Sequence, residues 1–373
     1  MTKTVLLVEP RKHKIALASL MKFSSYYKNK GWRVVYVEGT QFFHLPKKVD
    51  KVIVSGVFTF DIPKLIEVTN YYVAKYQLDK EDVHVGGVSV SLMADYVKEQ
   101  CPNATVYIGI CEKVDQLPLD YGLYPGIDYS IIWTSRGCPR SCGFCAIPKI
   151  EGKIRYIENW ENQVNMRKSK ILAIDNNFTA CSDEWFERVC KRLEYFGKVV
   201  DFNQSVDCRI FNEFHAKCLS KVRLECLRFS YDGKHVKEQI VRDTVELARS
   251  YGHNDIRFDV LYNWTDTPEE FWYRLYVLAD LQVKAFPMKF VPLDSLDRNY
   301  VGKHWTKERL FAFHELFGRL FSYGMMGEGP NVKAIFMKGL GNSGEEFVSK
   351  LDNVFMDKKG YMDKNQLTLE QWS

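Results

Sequence analysis

The sequence predicts an α/β protein: a doubly wound parallel sheet, a second strand-helix series, and a helical C-terminal extension. Three observations predict it. Short apolar runs alternate with amphipathic helical segments over residues 1 to about 115. A turn-rich connection holding Pro118, Gly122, Pro125 and Gly126 interrupts that alternation. A second alternation then carries on to about residue 295, followed by helical spacing rich in Phe, Tyr and Trp. At 373 residues and 46% hydrophobic composition, the chain has ample material for two or three cores. The expected domains are 1–118, 119–295 and 296–373.

In the first series, strands are expected at residues 4–8, 32–37, 51–57, 83–90 and 104–110. Leu17, Leu20 and Met21 fall at i, i+3, i+4 on a helix closed near Gly31. Asp61 and Pro63 open another, with Leu65, Val68 and Tyr72 on one face. Short buried strands between amphipathic helices imply a parallel sheet covered on both sides. The second series offers strands at 129–134, 170–174, 199–205, 223–231, 256–262 and 285–291. Ser182, followed by Asp183 and Glu184, reads as a helix cap, and Thr267-Pro268-Glu269-Glu270 as a capping box with proline at the first helical position. A helix at 307–321 places Leu310, Phe313, Phe317 and Leu320 on one face and is expected to close the second domain. Gly339-Leu340-Gly341-Asn342-Ser343-Gly344 spells GxGxxG, but too little chain follows for a βαβ unit, so it reads as a flexible loop.

The N-terminal residues enter a strand pattern directly, with neither a leader nor an apolar span, so a cytoplasmic protein with no membrane partner is expected. The net charge of +5 is scattered in short runs such as Arg11-Lys12-His13-Lys14 and Arg167-Lys168-Ser169-Lys170. Such runs read as solvated faces, with nucleic-acid contact as the alternative.

Chemistry concentrates in one stretch. Three of the ten cysteines, Cys138, Cys142 and Cys145, follow a strand and a glycine at CxxxCxxC spacing. Thiolates on one compact loop select iron-sulfur clusters, zinc or copper(I). A closed zinc site needs four ligands, and no histidine lies between His84 and His215. Three cysteines suit a cubane cluster that leaves one iron open to a small molecule. Cys101, Cys111, Cys181, Cys190, Cys208, Cys218 and Cys226 lack ligand spacing and read as small core residues.

The motif, with Phe144 just before its third cysteine, resembles the signature of the radical SAM superfamily. That resemblance implies a 4Fe-4S cluster on Cys138, Cys142 and Cys145, S-adenosyl-L-methionine on its open iron, and reductive cleavage of that cofactor to abstract hydrogen from a substrate. It implies a partial six-stranded (β/α) TIM-like barrel whose chemistry sits at the strand ends. It further implies an electron donor such as flavodoxin or ferredoxin, and a substrate that is a small molecule, nucleic acid or peptide. By the same resemblance, Asp175-Asn176-Asn177 occupies the place of a polar motif that holds the methionine amino group. An Asx turn is the alternative. Arg209 is the candidate for the cofactor carboxylate, against a pair with Asp207; Ser230 and Tyr231, with Asp232, end a strand where the family contacts the ribose.

The first domain resembles the cobalamin-binding-like domain that precedes many radical SAM barrels, including the pair Gly86-Gly87. Its first loop, Glu9 to Ala16, lacks the DxHxxG ligand motif. The expectation is therefore a domain without cobalamin, with His13 at the surface. A cobalamin-dependent methylase, a methylthiotransferase-like enzyme (suggested by Cys145-Ala146-Ile147-Pro148) and a non-catalytic iron-sulfur or zinc module are the alternatives.

Overall fold

In the computed structural model, which describes residues 2–40, 45–322 and 332–365, the chain forms two compact units, Met1–Asn176 with Pro292–Asp297, and Asn177–Val291 with Arg298–Ser373.

The first unit is built on β1 (Thr4–Glu9), β2 (Arg33–Glu38), β3 (Lys51–Ser55), β4 (Val83–Gly86) and β5 (Thr105–Val106). They form one parallel sheet in the order β2-β1-β3-β4-β5. Alternation along β1 explains its central place. Leu6 and Val8 pack with Val52, Val54, Leu65, Val68 and Tyr72 on one face, while Val5 and Leu7 pack with Leu17 and Leu20 on the other. Each fully buried aliphatic side chain of this kind contributes about 1.5–3 kcal/mol. The covering helices, Ala18–Asn29 and Ile62–Tyr76, start and stop close to where periodicity places them.

Several strands are shorter than expected, in this sheet the fourth and fifth most of all. The run at 83–90 stops at Gly86, because Gly87 takes φ +105° and a Cβ there would lie 2.2 Å from the Gly56 carbonyl oxygen. Residues from Val88 then turn into the helix Val88–Leu92. The run at 104–110 pairs only over β5. His13 is corrected from a surface residue to a half-buried one, its Nε2 2.6 Å from Asp61.

The same unit carries β6 (Tyr129–Ile132), β7 (Ser135–Arg136), β8 (Arg155–Tyr156) and β9 (Lys170–Ala173). β6 pairs with β9 in parallel, and β7 with β8 antiparallel.

The second unit holds β10 (Val199–Phe202), β11 (Leu227–Ser230), β12 (Ile256–Tyr262) and β13 (Lys284–Lys289). β11, β12 and β13 form a parallel sheet, and Val200 bridges Leu224 in parallel beside it. The intervening helices have the expected starts. Ser182 Oγ accepts from Trp185 N at 3.4 Å, and Thr267 and Glu270 complete a reciprocal capping box. At the C-terminal side, the helices Lys307–Ser322, Val332–Leu340 and Gly344–Asn365 pack on one another and on Pro268–Asp280. Phe313 stands edge-on to Phe271 at 5.0 Å; the Leu320 side chain lies outside the described residues. The GxGxxG stretch is a tight helix-helix turn rather than a loose loop, with the Asn342 backbone N–H and side-chain amide both donating to Glu346 at 2.9 Å. No helix among the described residues is long and apolar enough to cross a membrane.

Candidate active site: the cysteine loop and the strand ends

The cysteine loop leaves β7 and is pinned before its first cysteine. Gly137 takes φ +78°, and a Cβ at this position would lie 2.2 Å from the Lys153 carbonyl oxygen. The backbone can follow that path only without a side chain. Cys138 N donates to Gly152 O at 3.0 Å, which closes the ribbon started by β7 and β8. Within the loop, Cys145 N donates to Cys142 O at 3.0 Å, and Arg140 N to Cys138 Sγ at 3.4 Å. All three cysteines and Phe144 are half-buried. Among the described residues, no group of three or more His, Cys, Asp or Glu side chains is gathered into a metal-ion cage. The fit of a cluster rests on the donor set. Residues 138–145 hold three thiols, with no carboxylate or imidazole to compete, on an anchored backbone.

Beneath the loop lies a buried charge network that periodicity did not reveal. Arg136 gives Nη2 to Asp115 at 2.7 Å and Nη1 to Glu151 at 3.0 Å. Glu151 also accepts from Gly137 N at 2.9 Å and from Asn176 Nδ2 at 2.6 Å. Lys22, on the first helix, donates to the Asp115 carboxylate at 2.8 Å and to its carbonyl at 2.6 Å. Both cations lie over the Trp133 ring, Lys22 Nζ at 4.7 Å and Arg136 Cζ at 4.0 Å. Burial, and then the neighbouring guanidinium, push the Lys22 ammonium down to about 8. Burial alone would raise Asp115, but Arg136 and Lys22 outweigh it and hold that carboxyl below its usual range. In sequence Lys22 sits between Met21 and Phe23, and nothing local distinguishes it from a solvent-facing lysine.

Asp175 serves the same loop. Its oxygens accept from Thr134 N at 3.1 Å, Thr134 Oγ1 at 2.6 Å, Ser135 N at 2.5 Å and Ser135 Oγ at 2.7 Å. These contacts tie the residue after β9 to the chain between β6 and β7. Full burial raises its carboxyl pKa despite these donors. Asp175 thus takes four donors of the chain itself. Asn176, the next residue, is turned to Glu151.

In the second unit, Asn177 is buried; its Nδ2 lies 3.4 Å from Asp207 Oδ2, and its Oδ1 accepts from Thr179 at 3.1 Å. Arg209 forks onto Asp207, Nε at 2.7 Å and Nη2 at 3.1 Å, so the carboxylate pair weighed from the sequence is present. Ser230 ends β11 and its carbonyl accepts from Cys208 Sγ at 3.5 Å, while Tyr231 is buried with its phenol pushed by burial up to about 12. Beyond them, a cavity of about 390 Å³ opens between the ends of β11 and β12, lined by Asp232, His235, Trp264 and Asp266. Asp266 is held by Arg274 at 3.0 Å. Burial, reinforced by the Asp259 carboxylate, pushes Asp232 up to about 7. Its raised pKa marks it among the polar groups at these strand ends.

The remaining cysteines are mostly core residues. Cys101, Cys181, Cys190, Cys208, Cys218 and Cys226 are buried and Cys111 is half-buried. Burial raises the Cys101 thiol to about 11, which disfavours the thiolate a metal would require.

No family model matches the chain. No curated protein matches it in sequence. Among solved structures, it is similar to the radical S-adenosylmethionine methyltransferase TsrM from Kitasatospora setae, determined with cobalamin and a [4Fe-4S] cluster bound. The match has a TM-score of 0.66 and 14% identity, over 79% of this chain and 77% of that one. It also matches coproporphyrinogen III oxidase (HemN) from Escherichia coli, a radical SAM enzyme, at 16% identity over 54% of each chain; that TM-score, 0.39, is too low to carry an argument. The five-stranded parallel sheet, the further parallel strands and the helical C-terminal side are similar in fold to that TsrM structure.

Proposed function

We propose that the protein is a radical S-adenosylmethionine enzyme in which Cys138, Cys142 and Cys145 hold a 4Fe-4S cluster. The observation that carries this reading is the CxxxCxxC loop, pinned at Gly137 on a fold shared with a radical SAM methyltransferase. When bound, such a cluster supplies the electron for reductive cleavage of S-adenosylmethionine and hence for hydrogen abstraction from a substrate. The chain's own residues do the positioning. Asp175 fixes Thr134 and Ser135 ahead of the loop, and Glu151 fixes Gly137 and Asn176. Asp207 orients Arg209, whose planar guanidinium suits the cofactor carboxylate. Asn177, Ser230 and Tyr231 are the remaining polar candidates for the cofactor. A reductase such as flavodoxin or ferredoxin would supply electrons.

Anaerobically purified protein should carry about four irons per chain and release 5'-deoxyadenosine and methionine when reduced with S-adenosylmethionine. Cys142→Ala should abolish both. Arg209→Ala should assemble the cluster yet bind the cofactor roughly ten- to a hundredfold more weakly, the loss of one charged hydrogen bond. Zinc in place of iron would overturn the reading.

A second reading adds a corrinoid, and the cobalamin in the TsrM structure favours it. The sheet order β2-β1-β3-β4-β5 reverses between β1 and β3, the kind of place where open α/β sheets take ligands. The loop after β1 offers His13, but Asp61 holds its Nε2 at 2.6 Å. A corrinoid bound here would take no histidine from this loop without breaking that pair. Reconstitution with hydroxocobalamin followed by desalting separates the readings. One corrinoid retained per chain makes the methylase reading the better one, and none retained removes it.

A further inference from the structure

A groove of about 640 Å³ opens at the amino-terminal edge of the first sheet, where Lys3 leads into β1 and Lys51 begins β3. Lys47, Lys48 and Lys75 complete a ring of five lysines around it, against two aspartates, Asp50 and Asp82. Three positive charges are thus in excess around one concavity, in a chain whose whole net charge is +5. A concave wall focuses the field of such charges more than a convex face does.

The lysines are not equivalent. Lys51 is engaged by Asp82 at 3.3 Å, the Glu81 carbonyl at 2.9 Å and His84 Nε2 at 3.0 Å. Lys48 stands 3.7 Å from Asp50, whose other oxygen takes Thr4 N at 2.7 Å. Among the described residues, Lys3, Lys47 and Lys75 face no carboxylate within ion-pair distance. Lys3 lies 5.4 Å over the Trp32 ring, and Lys75 donates to the Tyr71 hydroxyl at 3.1 Å.

Two aromatic rings also line the groove, and both are held in place. Trp32 packs on Tyr27 at 5.0 Å, while Tyr76 stacks on Tyr72 at 6.2 Å and donates to the Pro46 carbonyl at 3.0 Å. A single compact phosphate would favour backbone N–H groups at a helix N-terminus. This groove instead meets the C-terminal end of the helix Ile62–Tyr76, whose dipole disfavours an anion, so only the lysine side chains can meet phosphates there. Long cations spread around a groove, beside two aromatic side chains, suit a string of phosphates carrying planar bases. We propose that this groove binds single-stranded nucleic acid. Lys47, Lys48 and Lys51 lie in one short stretch with Asp50 between them, and Lys3 and Lys75 join them only in the fold.

The site is independent of the cysteine loop, so the test uses the full chain without any cluster. Binding of a fluorescein-labelled oligo(U) of about twelve nucleotides, a length within single-strand site sizes, is read by anisotropy between 50 and 200 mM salt. The parent should bind at micromolar concentration. The triple variant Lys3→Ala/Lys47→Ala/Lys75→Ala should bind at least about tenfold more weakly, and its slope of log affinity against log salt should be shallower by about 2, at roughly 0.7 for each phosphate no longer neutralised. A control triple on the second unit, Lys191→Ala/Lys217→Ala/Lys221→Ala, should match the parent. The proposal is overturned if the parent does not bind, if both triples lose affinity equally, or if UMP competes as well as the oligonucleotide does.

Discussion

Removing Asp115 should damage the protein far more than removing its partner Lys22, although the two make one buried ion pair. The side chains of Lys22, Asp115, Arg136 and Glu151 are 5%, 7%, 11% and 9% exposed, two cations and two anions in balance. In Asp115→Asn, Lys22 retains the residue 115 carbonyl and the Trp133 face, and Arg136 retains Glu151, but no anion separates the two cations. Leaving a buried charge uncompensated costs about 3–5 kcal/mol. In Lys22→Met, Asp115 still has Arg136 at 2.7 Å and Arg155 at 3.8 Å. The lost ammonium was itself disfavoured by burial and by Arg136, and methionine refills the stem volume. That change should cost about 0–2 kcal/mol. The double variant restores charge balance around Arg136 and Glu151, so it should be more stable than Asp115→Asn alone, with a coupling of about 1–3 kcal/mol. Urea midpoints of the apo protein give the ranking, and iron per chain after anaerobic reconstitution reports whether the loop still assembles a cluster. Asp115→Asn should lose iron and Lys22→Met should not. If Lys22→Met lowers the midpoint as much as Asp115→Asn does, the charge-balance argument is wrong.

Three further outcomes are expected. Gly137→Ala places a Cβ 2.2 Å from the Lys153 carbonyl at φ +78°, with about 1–2 kcal/mol of left-handed strain alone, and should leave reconstituted protein with much less iron than the parent. Asn263→Ala removes the side chain that donates to the Phe290 and Tyr300 carbonyls at 3.0 and 3.1 Å and accepts from Gly302 N at 2.7 Å. It should cost about 2–5 kcal/mol in chemical denaturation, and Asn263→Gly, which relieves only the positive φ, should recover no more than about 1–2 kcal/mol of it. Asp232→Asn concerns pH: the folded pKa of about 7 lies above the usual 3.8, so the folded state holds the extra proton between those values, and parent stability falls as pH rises through that window and levels off above 7. The variant should therefore match the parent near pH 4 and exceed it at pH 8 in thermal unfolding; equal profiles would mean that Asp232 is ionised at its ordinary value.

The sequence by itself determined the strand-helix alternation, the caps at Ser182 and Thr267, and the grouping of three cysteines after a glycine, because each of these depends on neighbours within one element. Backbone periodicity and capping are local physics. Only the tertiary structure decided what the charged groups face. Lys22 reaches Asp115 across 93 positions, and Asp175 reaches back across 40 to Ser135. Glu9, at the end of β1, takes the Tyr36 hydroxyl at 2.5 Å and the Tyr124 hydroxyl at 2.8 Å. No pattern of spacing encodes such pairs, since an ionised side chain is stable at almost any exposed position and declares its role only when packing removes water around it. Gly87 ended a strand that apolar residues would have continued, because the Gly56 backbone approaches it from another segment. The lysine groove has the same origin. Its concavity is made by the edge of a folded sheet and exists nowhere along the unfolded chain.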